Sequence, residues 1–285
     1  MSTKVAVVTD STAYFEPGEA EELGVHVVPL NIQLGGKKFL DSLEINTDEL
    51  FRRLSYTGGF PSSVPPSPAI FEELYVELHK QTDQILSIHI SNHLSQTIEK
   101  ANLGAEALLG RCSIAVVDSM TTSVGLGILV RAAARAANDG ADLDDIVRLV
   151  RGMIPHIYLV FYVESMEYLE RSGRIGKAQA ILGSMLNIKP ILFMEDGDII
   201  PLEKVRTTEK AIEKLFEFVA EFDNLEQTAI IQRSNLPIKE ARALQERLEQ
   251  SFPMLDFPVV QYGADLATRV GPNALGIVVY EGLAF

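Results

Sequence analysis

Hydroxyl and carboxylate side chains follow several short apolar runs of this sequence. Ligands of open parallel sheets bind beyond the carboxyl ends of the strands, so polar residues at those ends are the first candidates for a site. Ser95 adds a hydroxyl at a predicted helix start, beside backbone N–H groups that lack an acceptor within the helix. Such uncharged donors suit a carboxylate or a phosphate. The candidates at strand ends are Asp10-Ser11-Thr12, Ser62-Ser63, Ser91-Asn92 and Asp118-Ser119.

The same residue types also have a purely local role. Asp and Ser at strand ends often hydrogen-bond to nearby backbone groups and form turns. Each candidate taken alone fits that local role. Their recurrence at four predicted strand ends favours a binding site.

Signatures of hydrolytic and metal chemistry are weak in this chain. The sequence has no G-x-S-x-G nucleophile elbow, and its five histidines do not reveal a serine–histidine pair. His89 and His93 straddle a predicted strand end, so they do not share a helix face and are interpreted as packed or solvated side chains. Cys112 is the one cysteine, and the carboxylates lack the spacing of a calcium loop. We predict neither a metal nor a cofactor.

Two glycine-containing segments fall short of nucleotide-binding motifs. Gly125-Leu126-Gly127 lacks the third glycine of a dinucleotide fingerprint. The segment from Gly173 to Lys177 is followed by Ala178, where a Walker A loop has Ser or Thr. This turn could still offer Arg174, Lys177 and backbone N–H groups to an anion, or it could be a helix C-cap followed by a solvated turn.

An apolar surface is predicted directly after that turn. In most proteins such a surface is core, although flexible Met and small side chains would also suit an alkyl tail. The sequence leaves both interpretations open. The residues concerned are Ala178, Ile181, Leu182, Met185, Leu186 and Ile188.

Short apolar runs alternate with helical periodicity through the first half of the chain. Strands are predicted at residues 5–9, 25–30, 85–90 and 114–117, and helices begin at Ser67-Pro68, near Ser95 and at Gly125. This alternation predicts right-handed βαβ units and a mostly parallel, Rossmann-like sheet. The second half continues less regularly, with a hairpin turn at Asp196-Gly197 that requires a mixed sheet. A polar stretch at 138–145 suggests a boundary, and we predict α/β domains at 1–155 and 156–285 with a ligand cleft between them.

Composition limits the kind of protein and of ligand. The chain has 285 residues, of which 47% are hydrophobic and 22% charged, as in globular proteins. A net charge of -14 disfavours nucleic acid as a partner, because phosphates would be repelled. No run of about eighteen apolar residues suggests a transmembrane helix, and the opening residues lack a secretory signal pattern. We therefore expect a cytoplasmic protein.

The order of motifs along the chain resembles the DegV family of bacterial fatty-acid-binding proteins. Thr9-Asp10-Ser11 is similar to the family's V-T-D-S-T start, and residues 28–41 resemble its VPL segment, which ends at Asp41. Residues 63–71 resemble T-S-Q-P-S-P-G-E-F, with Ser63 in the threonine position, and residues 90–97 resemble I-S-S-G-L-S-G-T. Further similarity covers residues 118–127, 168–190 and Lys204-Val205-Arg206-Thr207.

The resemblance implies a two-domain α/β carrier of a palmitate-like long-chain fatty acid. It places the carboxylate at Ser63 and Ser95 and the acyl chain inside the second domain. It also implies, for members of the FakB type, a separate FakA-type kinase that phosphorylates the bound acid. Arg174 and Arg206 would then face that kinase or the acyl phosphate. The wider set of ligand-binding candidates is Asp10, Ser91, Asn92, Ser119 and Arg269.

The chain departs from the family pattern near the expected head group. Arg269 stands where the family often has His, and it could bind a carboxylate or phosphate bidentately. Unlike His, Arg cannot change its charge near neutral pH. His93 and Gln96 replace two glycines of the family's loop.

Two functional hypotheses follow from the sequence. The leading one is a lipid carrier without catalysis of its own, which presents a fatty acid to a kinase. The alternative is a small-molecule phosphotransferase or hydrolase that uses the Ser and Asp residues at strand ends and Arg174.

Overall fold

The computed structural model describes residues 4–173 and 188–282, which form two α/β domains. In chain order, the first domain contains β1 (Ala6–Asp10), α1 (Glu19–Glu22), β2 (Val25–Val28), β3 (Asn31–Leu34), β4 (Lys37–Leu40), α2 (Thr47–Thr57), β5 (Ser62–Val64), α3 (Pro68–His79), β6 (Gln84–His89), α4 (Thr97–Ala105), β7 (Ser113–Asp118), α5 (Ser123–Asn138) and α6 (Leu143–Met153). The second contains β8 (Ile157–Tyr162), α7 (Glu167–Ser172), β9 (Lys189–Glu195), β10 (Asp198–Val205), α8 (Thr208–Val219), β11 (Leu225–Gln232), α9 (Lys239–Ser251), β12 (Val259–Gln261), α10 (Ala264–Val270) and β13 (Leu275–Glu281).

The first domain is built on a four-stranded parallel sheet in the order β2-β1-β6-β7. Its strands are apolar on both faces because helices cover both sides. Phe71 and Tyr75 of α3 pack with Val8 on one face, whereas Leu126 of α5 belongs to the cluster with Leu86 on the other. The predicted parallel sheet is confirmed.

A second, smaller sheet of the first domain was not predicted. Its three antiparallel strands have the order β4-β3-β5, and Ser63 of β5 pairs with Ile32 of β3. The expectation that Ser62-Ser63 ends a strand of the parallel sheet is therefore wrong. Three residues are too few for a periodic pattern to reveal a strand, and antiparallel pairing partners lie far apart in sequence.

The second domain has a mixed six-stranded sheet in the order β10-β9-β8-β13-β11-β12, as predicted. Only β11 and β12 pair in parallel among these neighbours in the described sheet. The β9–β10 turn at Asp196 and Gly197 has φ values of 49° and 82°, the left-handed geometry that favours Asp-Gly in tight hairpins. Helices α8 and α9 cover one face of the sheet, with Leu215 and Leu244 in its core.

The two domains share a continuous apolar core. Val7 and Leu126 of the first domain belong to the same cluster of buried side chains as Leu159 and Val278 of the second. Helix α6 packs against α5 and β6, so it belongs with the first sheet. The chain changes sheets between β7 and β8, in the region of the boundary proposed at 155/156.

The start of α4 differs from the prediction. The helix begins at Thr97 with Gln96 as its N-cap residue, so Ser95 precedes the cap and is not the capping residue. The hydroxyl of Ser95 lies 2.8 Å from the Thr97 hydroxyl. Ser67 does occupy the N-cap of α3 with Pro68 in the first turn, although its side chain makes no capping hydrogen bond.

Candidate functional site

The carboxyl ends of β1 and β6 are joined by Asp10, which is completely buried. Its Oδ1 accepts hydrogen bonds from the backbone N–H and the hydroxyl of Thr12, at 3.0 and 2.6 Å. Its Oδ2 accepts from the N–H of Ile90 and lies 3.0 Å from Nδ1 of His89. A carboxylate offers about four acceptor positions, so these contacts occupy it. In this arrangement Asp10 holds the segment that follows β1 against the segment that follows β6.

His89 extends this contact into a buried relay that the sequence did not reveal. Its Nε2 lies 2.7 Å from the Ser87 hydroxyl, which accepts a hydrogen bond of 2.8 Å from the phenol of Tyr75. With the imidazole proton on Nδ1, every donor in the chain from Tyr75 to Asp10 points the same way. Ser87, His89 and Asp10 thus have the connectivity of a serine-hydrolase triad.

The location of this relay argues against a nucleophilic role. All three residues have 0% exposure, and the ring of Phe71 contacts His89 edge-on at 5.2 Å between centroids. A catalytic nucleophile must reach its substrate within hydrogen-bonding distance. The Ser87 hydroxyl instead faces Tyr75 inside the first domain. His93, by contrast, is half-exposed and lies 3.1 Å from Asp198.

The Ser91-Asn92 and Asp118-Ser119 segments form mainly loop contacts. The Ser91 hydroxyl donates to the carbonyl of Gly197 in the second domain at 2.8 Å. The Ser119 hydroxyl donates to the Thr121 carbonyl at 3.1 Å, a local turn. The backbone N–H of Asn92 donates to Asp118, while its side-chain Oδ1 is buried without a partner among the described residues.

Ser95 lies beside a buried ion pair contributed by the second domain. Arg269 and Asp265 of α10 form a bidentate pair, with Nε–Oδ2 and Nη2–Oδ1 distances of 3.1 and 2.8 Å. Nη1 of Arg269 donates to the carbonyl of Leu94 at 2.8 Å, next to Ser95. Three of the five guanidinium N–H groups are therefore engaged, and two remain for another acceptor. Arg269 thus lies at the domain boundary, where the resemblance places the head group.

Ser63, in β5 of the first domain, contributes a further unpaired donor. Its hydroxyl is buried and has no partner among the described residues. A buried hydroxyl without a partner is uncommon in proteins and calls for an explanation such as a ligand. The sequence offered Ser63 both as a strand-end hydroxyl and, through the resemblance, as a carboxylate ligand, and the unpartnered hydroxyl is an independent observation in favour of that role.

Asp41 is a candidate that residue-level reasoning from the sequence passed over. Its carboxyl group is completely buried, with Oδ2 accepting from the Ser11 hydroxyl at 2.8 Å and Oδ1 unpaired among the described residues. Burial, reinforced by the nearby negative charge of Asp265, raises the pKa of Asp41 to about 7. In the sequence, Asp41 was marked as a candidate only by its position at the end of the VPL segment of the family pattern.

The residues predicted to face a partner are only partly described. Arg206 is exposed and directly follows β10. Arg174 lies outside the described residues, as do Ala178, Ile181, Leu182, Met185 and Leu186 of the predicted apolar surface. Ile188, the last of that set, is partly buried against the shared core.

A small apolar cavity lies behind α10 in the second domain. Its volume is about 10 Å³, near the minimum for a single water molecule. The cavity alone is therefore far smaller than an acyl chain. Its walls are Phe161, Ile231, Tyr262, Leu266, Val270, Ala274 and Gly276.

Neither a metal cluster nor a membrane-spanning helix occurs in the described ranges. Over residues 4–173 and 188–282, no group of three or more His, Cys, Asp or Glu side chains could hold a metal ion. Over the same residues, no helix is long and apolar enough to cross a bilayer.

Comparisons with known proteins extend over the full length of the chain. A DegV domain-containing protein of Streptomyces coelicolor is 37% identical over 281 residues, covering 98% of this chain and 99% of its own. Protein DegV of Bacillus subtilis is 30% identical over 276 residues, covering 96% and 98%.

Solved structures agree with these sequence matches. A DegV family protein of Thermus thermophilus, described by its fatty acid binding, has a TM-score of 0.89 at 31% identity, with 98% of this chain and 100% of that one covered. A fatty acid binding DegV family protein of Streptococcus agalactiae has a TM-score of 0.90 at 28% identity, with 99% and 100% covered. The family profile described as "Uncharacterised protein, DegV family" matches residues 4–282. The chain therefore belongs to the DegV family.

Proposed function

We propose that this chain binds a long-chain fatty acid, with the carboxylate at the domain boundary and the acyl chain in the second domain. The observation that carries the proposal is the full-length structural similarity to proteins described as fatty acid binding. Three of them, from Thermus thermophilus, Streptococcus agalactiae and Bacillus subtilis, have TM-scores of 0.87 to 0.90 with this chain.

The donors near Ser95 supply the chemistry for the head group. The proposed grip consists of the hydroxyls of Ser63 and Ser95 and the two remaining N–H groups of Arg269. Hydrogen bonds to a charged group are stronger than those between neutral groups, at about 1.5–3 kcal/mol each. The carboxylate of Asp265 offsets the positive charge of Arg269. The hydroxyls of Ser63 and Ser95 are therefore needed to orient the carboxylate of the fatty acid.

The acyl chain contributes through burial of hydrocarbon. Each buried methylene stabilises the complex by roughly 0.8 kcal/mol, so about ten methylenes supply roughly 8 kcal/mol against the ordering costs of binding. The apolar walls of the small cavity, such as Leu266 and Val270 of α10, mark the start of the proposed path.

We further propose that the bound acid is presented to a FakA-type kinase. The family resemblance and the exposed position of Arg206 support this role. Acyl hydroxamate should form when lipid-loaded protein, ATP, such a kinase and hydroxylamine are combined. Unchanged fatty acid under those conditions would argue against a carrier role.

An enzymatic function is the second candidate, because the chain contains a Ser-His-Asp relay. Its complete burial and its contact with Tyr75 favour a structural role over hydrolysis. Fatty acid binding is consequently the function that the site supports best.

Mass spectrometry of an organic extract tests the leading proposal. Protein purified from a lipid-replete host should carry a C14–C18 acid in near-stoichiometric amount. Ser63→Ala and Ser95→Ala should each weaken binding of the delipidated protein by about tenfold or more, the effect of one lost hydrogen bond to a charge. Ser62→Ala is the matched control, since Ser62 is the exposed neighbour on the same strand.

The comparison of fatty acid retention among these variants decides whether the two hydroxyls belong to the head-group site. Equal retention in Ser62→Ala, Ser63→Ala and Ser95→Ala would remove the two hydroxyls from the head-group site. An extract without fatty acid would contradict the lipid-binding function itself.

A further inference from the structure

Asp41 is a buried carboxyl group that plays no part in the proposed grip on the head group. It directly follows β4, it is completely buried, and its backbone N–H donates to the Leu30 carbonyl at 2.9 Å. The Ser11 hydroxyl is its one side-chain donor among the described residues, and its Oδ1 is unpaired. A buried carboxylate normally has several donors or a cation, because burial removes its hydration. The surroundings of Asp41 therefore favour the protonated form.

Two further buried carboxyl groups act on Asp41, and each of them has a basic partner. Asp265 of α10 is paired with Arg269, and Asp10 at the end of β1 lies 3.0 Å from Nδ1 of His89. Burial raises the pKa of Asp41, and the negative charges of Asp265 and Asp10 raise it in the same direction. The other titratable side chains of its own segment, all exposed, are Lys37, Lys38, Glu44 and Asp48.

Helix α10 connects the surroundings of Asp41 to the proposed head-group site. It packs against β5, the strand that contains Ser63. Arg269 of the same helix donates to the Leu94 carbonyl, next to Ser95. The ion pair that lies near Asp41 thus belongs to the set of groups proposed to hold the fatty acid carboxylate.

A cavity beside Asp41 lets its protonation equilibrate with solvent. The cavity encloses about 210 Å³, enough for several water molecules at roughly 30 Å³ each. Its walls include Ser11, which donates to Asp41, and Ser42, which follows Asp41 in the chain. Ala264, the neighbour of Asp265, lies in the same wall. A proton can therefore reach Asp41 through the Ser11 hydroxyl without unfolding of either domain.

The charge of Asp41 changes the electrostatic balance around Arg269. With Asp41 protonated, one buried guanidinium has one nearby carboxylate, that of Asp265. With Asp41 ionised, a second buried carboxylate acts on the same guanidinium. The head group of a fatty acid brings another negative charge into this field, where water screens charges only weakly. Ionised Asp41 therefore opposes binding of the head group, and protonated Asp41 does not.

We propose that protonation of Asp41 sets the affinity of the head-group site, which binds a long-chain carboxylate tightly when Asp41 is neutral and weakly when it is ionised. Asp41 is a positioning residue in this role, because it acts through Asp265 and Arg269 and does not contact the ligand. The role rests on the proposed fatty acid binding. Since the pKa of the buried Asp41 is raised to about 7, affinity should be highest below pH 6 and fall as the pH rises through 7.

The dissociation constant of delipidated protein for myristate, measured at pH 6, 7 and 8.5, tests this role. Wild-type protein should bind myristate about tenfold more weakly at pH 8.5 than at pH 6, the effect of about one pKa unit of coupling between two charges. Asp41→Asn should keep the affinity of pH 6 throughout, because an amide cannot ionise. Exposed Asp223→Asn is the control and should follow the wild-type profile. Ionisation of myristate itself affects all three proteins equally.

Two further measurements respond to protonation and not to packing. The Ser11 hydroxyl stabilises the ionised form of Asp41, so Ser11→Ala should move the midpoint of the affinity loss to higher pH. A purely structural role for Asp41 would leave that midpoint in place. Calorimetric titration at pH 7 in buffers of different ionisation enthalpy should show that wild-type protein takes up protons as myristate binds. Asp41→Asn should show no such uptake.

The results separate the role of Asp41 from fatty acid binding itself. Myristate affinity that is equal at pH 6 and pH 8.5 in the wild type would overturn the role and leave lipid binding intact. A wild-type pH profile in Asp41→Asn would also overturn it, and would assign the profile to another group such as His89. Should Asp41→Asn fail to fold, the wild-type profile, its proton uptake and the Ser11→Ala midpoint decide the matter. Absence of myristate binding at every pH would instead contradict the proposed function.

Discussion

At the scale of single residues, several buried ionisable groups lie at the domain boundary. They differ in how many hydrogen bonds or ion pairs stabilise their charged forms. Asp10 accepts four hydrogen bonds, and Asp265 has its partner in Arg269. Asp41 has a single side-chain donor, Ser11, and lies near the charge of Asp265. A buried carboxyl group with so little compensation binds its proton more tightly in the folded state than in the unfolded chain.

The pKa of Asp41 leads to a prediction about stability and pH. Burial raises this pKa from 3.8 to about 7, so between those values the folded state holds more protons than the unfolded chain. The contribution of Asp41 is therefore most favourable below pH 4 and is lost as the pH rises through 7, by roughly 4 kcal/mol at most. In Asp41→Asn this loss should disappear, because an amide cannot ionise.

Urea unfolding of delipidated protein between pH 4.5 and 8 measures this effect. The free energy of unfolding of Asp41→Asn, relative to wild type, should increase steadily with pH. Exposed Asp223→Asn is the control and should follow the wild-type curve. Parallel curves for Asp41→Asn and wild type would contradict the raised pKa.

At the scale of elements, the β9–β10 hairpin connects the second domain to the loops of the first. The carbonyl of Gly197 accepts from Ser91, and a Cβ atom at this position would lie 2.5 Å from the Ser91 hydroxyl and 3.1 Å from the sulfur of Met120. Gly197 therefore meets two requirements of the turn. It adopts a φ of 82°, and it allows the backbone to approach the first domain closely. The loop that it contacts also leads to Ser95.

Substituting alanine for Gly197 separates these two requirements. Gly197→Ala should lower the free energy of unfolding by roughly 2–4 kcal/mol, about 1 for the left-handed backbone and the rest for displaced neighbours. Gly36→Ala is the control, since Gly36 has a similar φ of 76° in the β3–β4 turn and nothing within 4 Å of the added Cβ. Equal losses in both variants, measured by urea unfolding, would show that the contact with the first domain contributes little.

At the scale of the whole molecule, the domains are joined by apolar packing and by a few buried hydrogen bonds. The Thr47 hydroxyl donates to the Tyr262 carbonyl at 2.6 Å, and Arg269 donates to the Leu94 carbonyl. Because one apolar cluster includes side chains of both domains, we expect them to unfold together. A cleft built this way holds its donors in place before the ligand arrives.

Removing one of these hydrogen bonds tests the coupling between the domains. Thr47→Val leaves the Tyr262 carbonyl buried without its donor and should cost about 1–3 kcal/mol. Thr57→Val removes an exposed hydrogen bond to the Arg53 carbonyl in the same helix and should change stability by about 0.5 kcal/mol or less.

Tyrosine fluorescence and far-UV circular dichroism should give one coincident unfolding transition in urea. Two separate transitions in the wild type would contradict the shared core.

The sequence by itself determined the architecture, because strands and helices arise from patterns that are local in the chain. The alternating apolar runs predicted the parallel sheet, and Asp196-Gly197 predicted the hairpin of the mixed sheet. Motif order was enough to identify the family. The three-residue strand β5 and the start of α4 were missed, since neither has a period long enough to detect.

Only the tertiary structure decided the partners of the candidate site residues. Asp41 meets Ser11 across 30 residues, and Arg269 meets the Leu94 carbonyl across 175, distances over which no local pattern is informative. Packing also enclosed Ser87, His89 and Asp10 in the core, although their types alone would suit catalysis. Whether a polar side chain is available to a ligand depends on which donors and acceptors folding places around it, and that arrangement exists only in three dimensions.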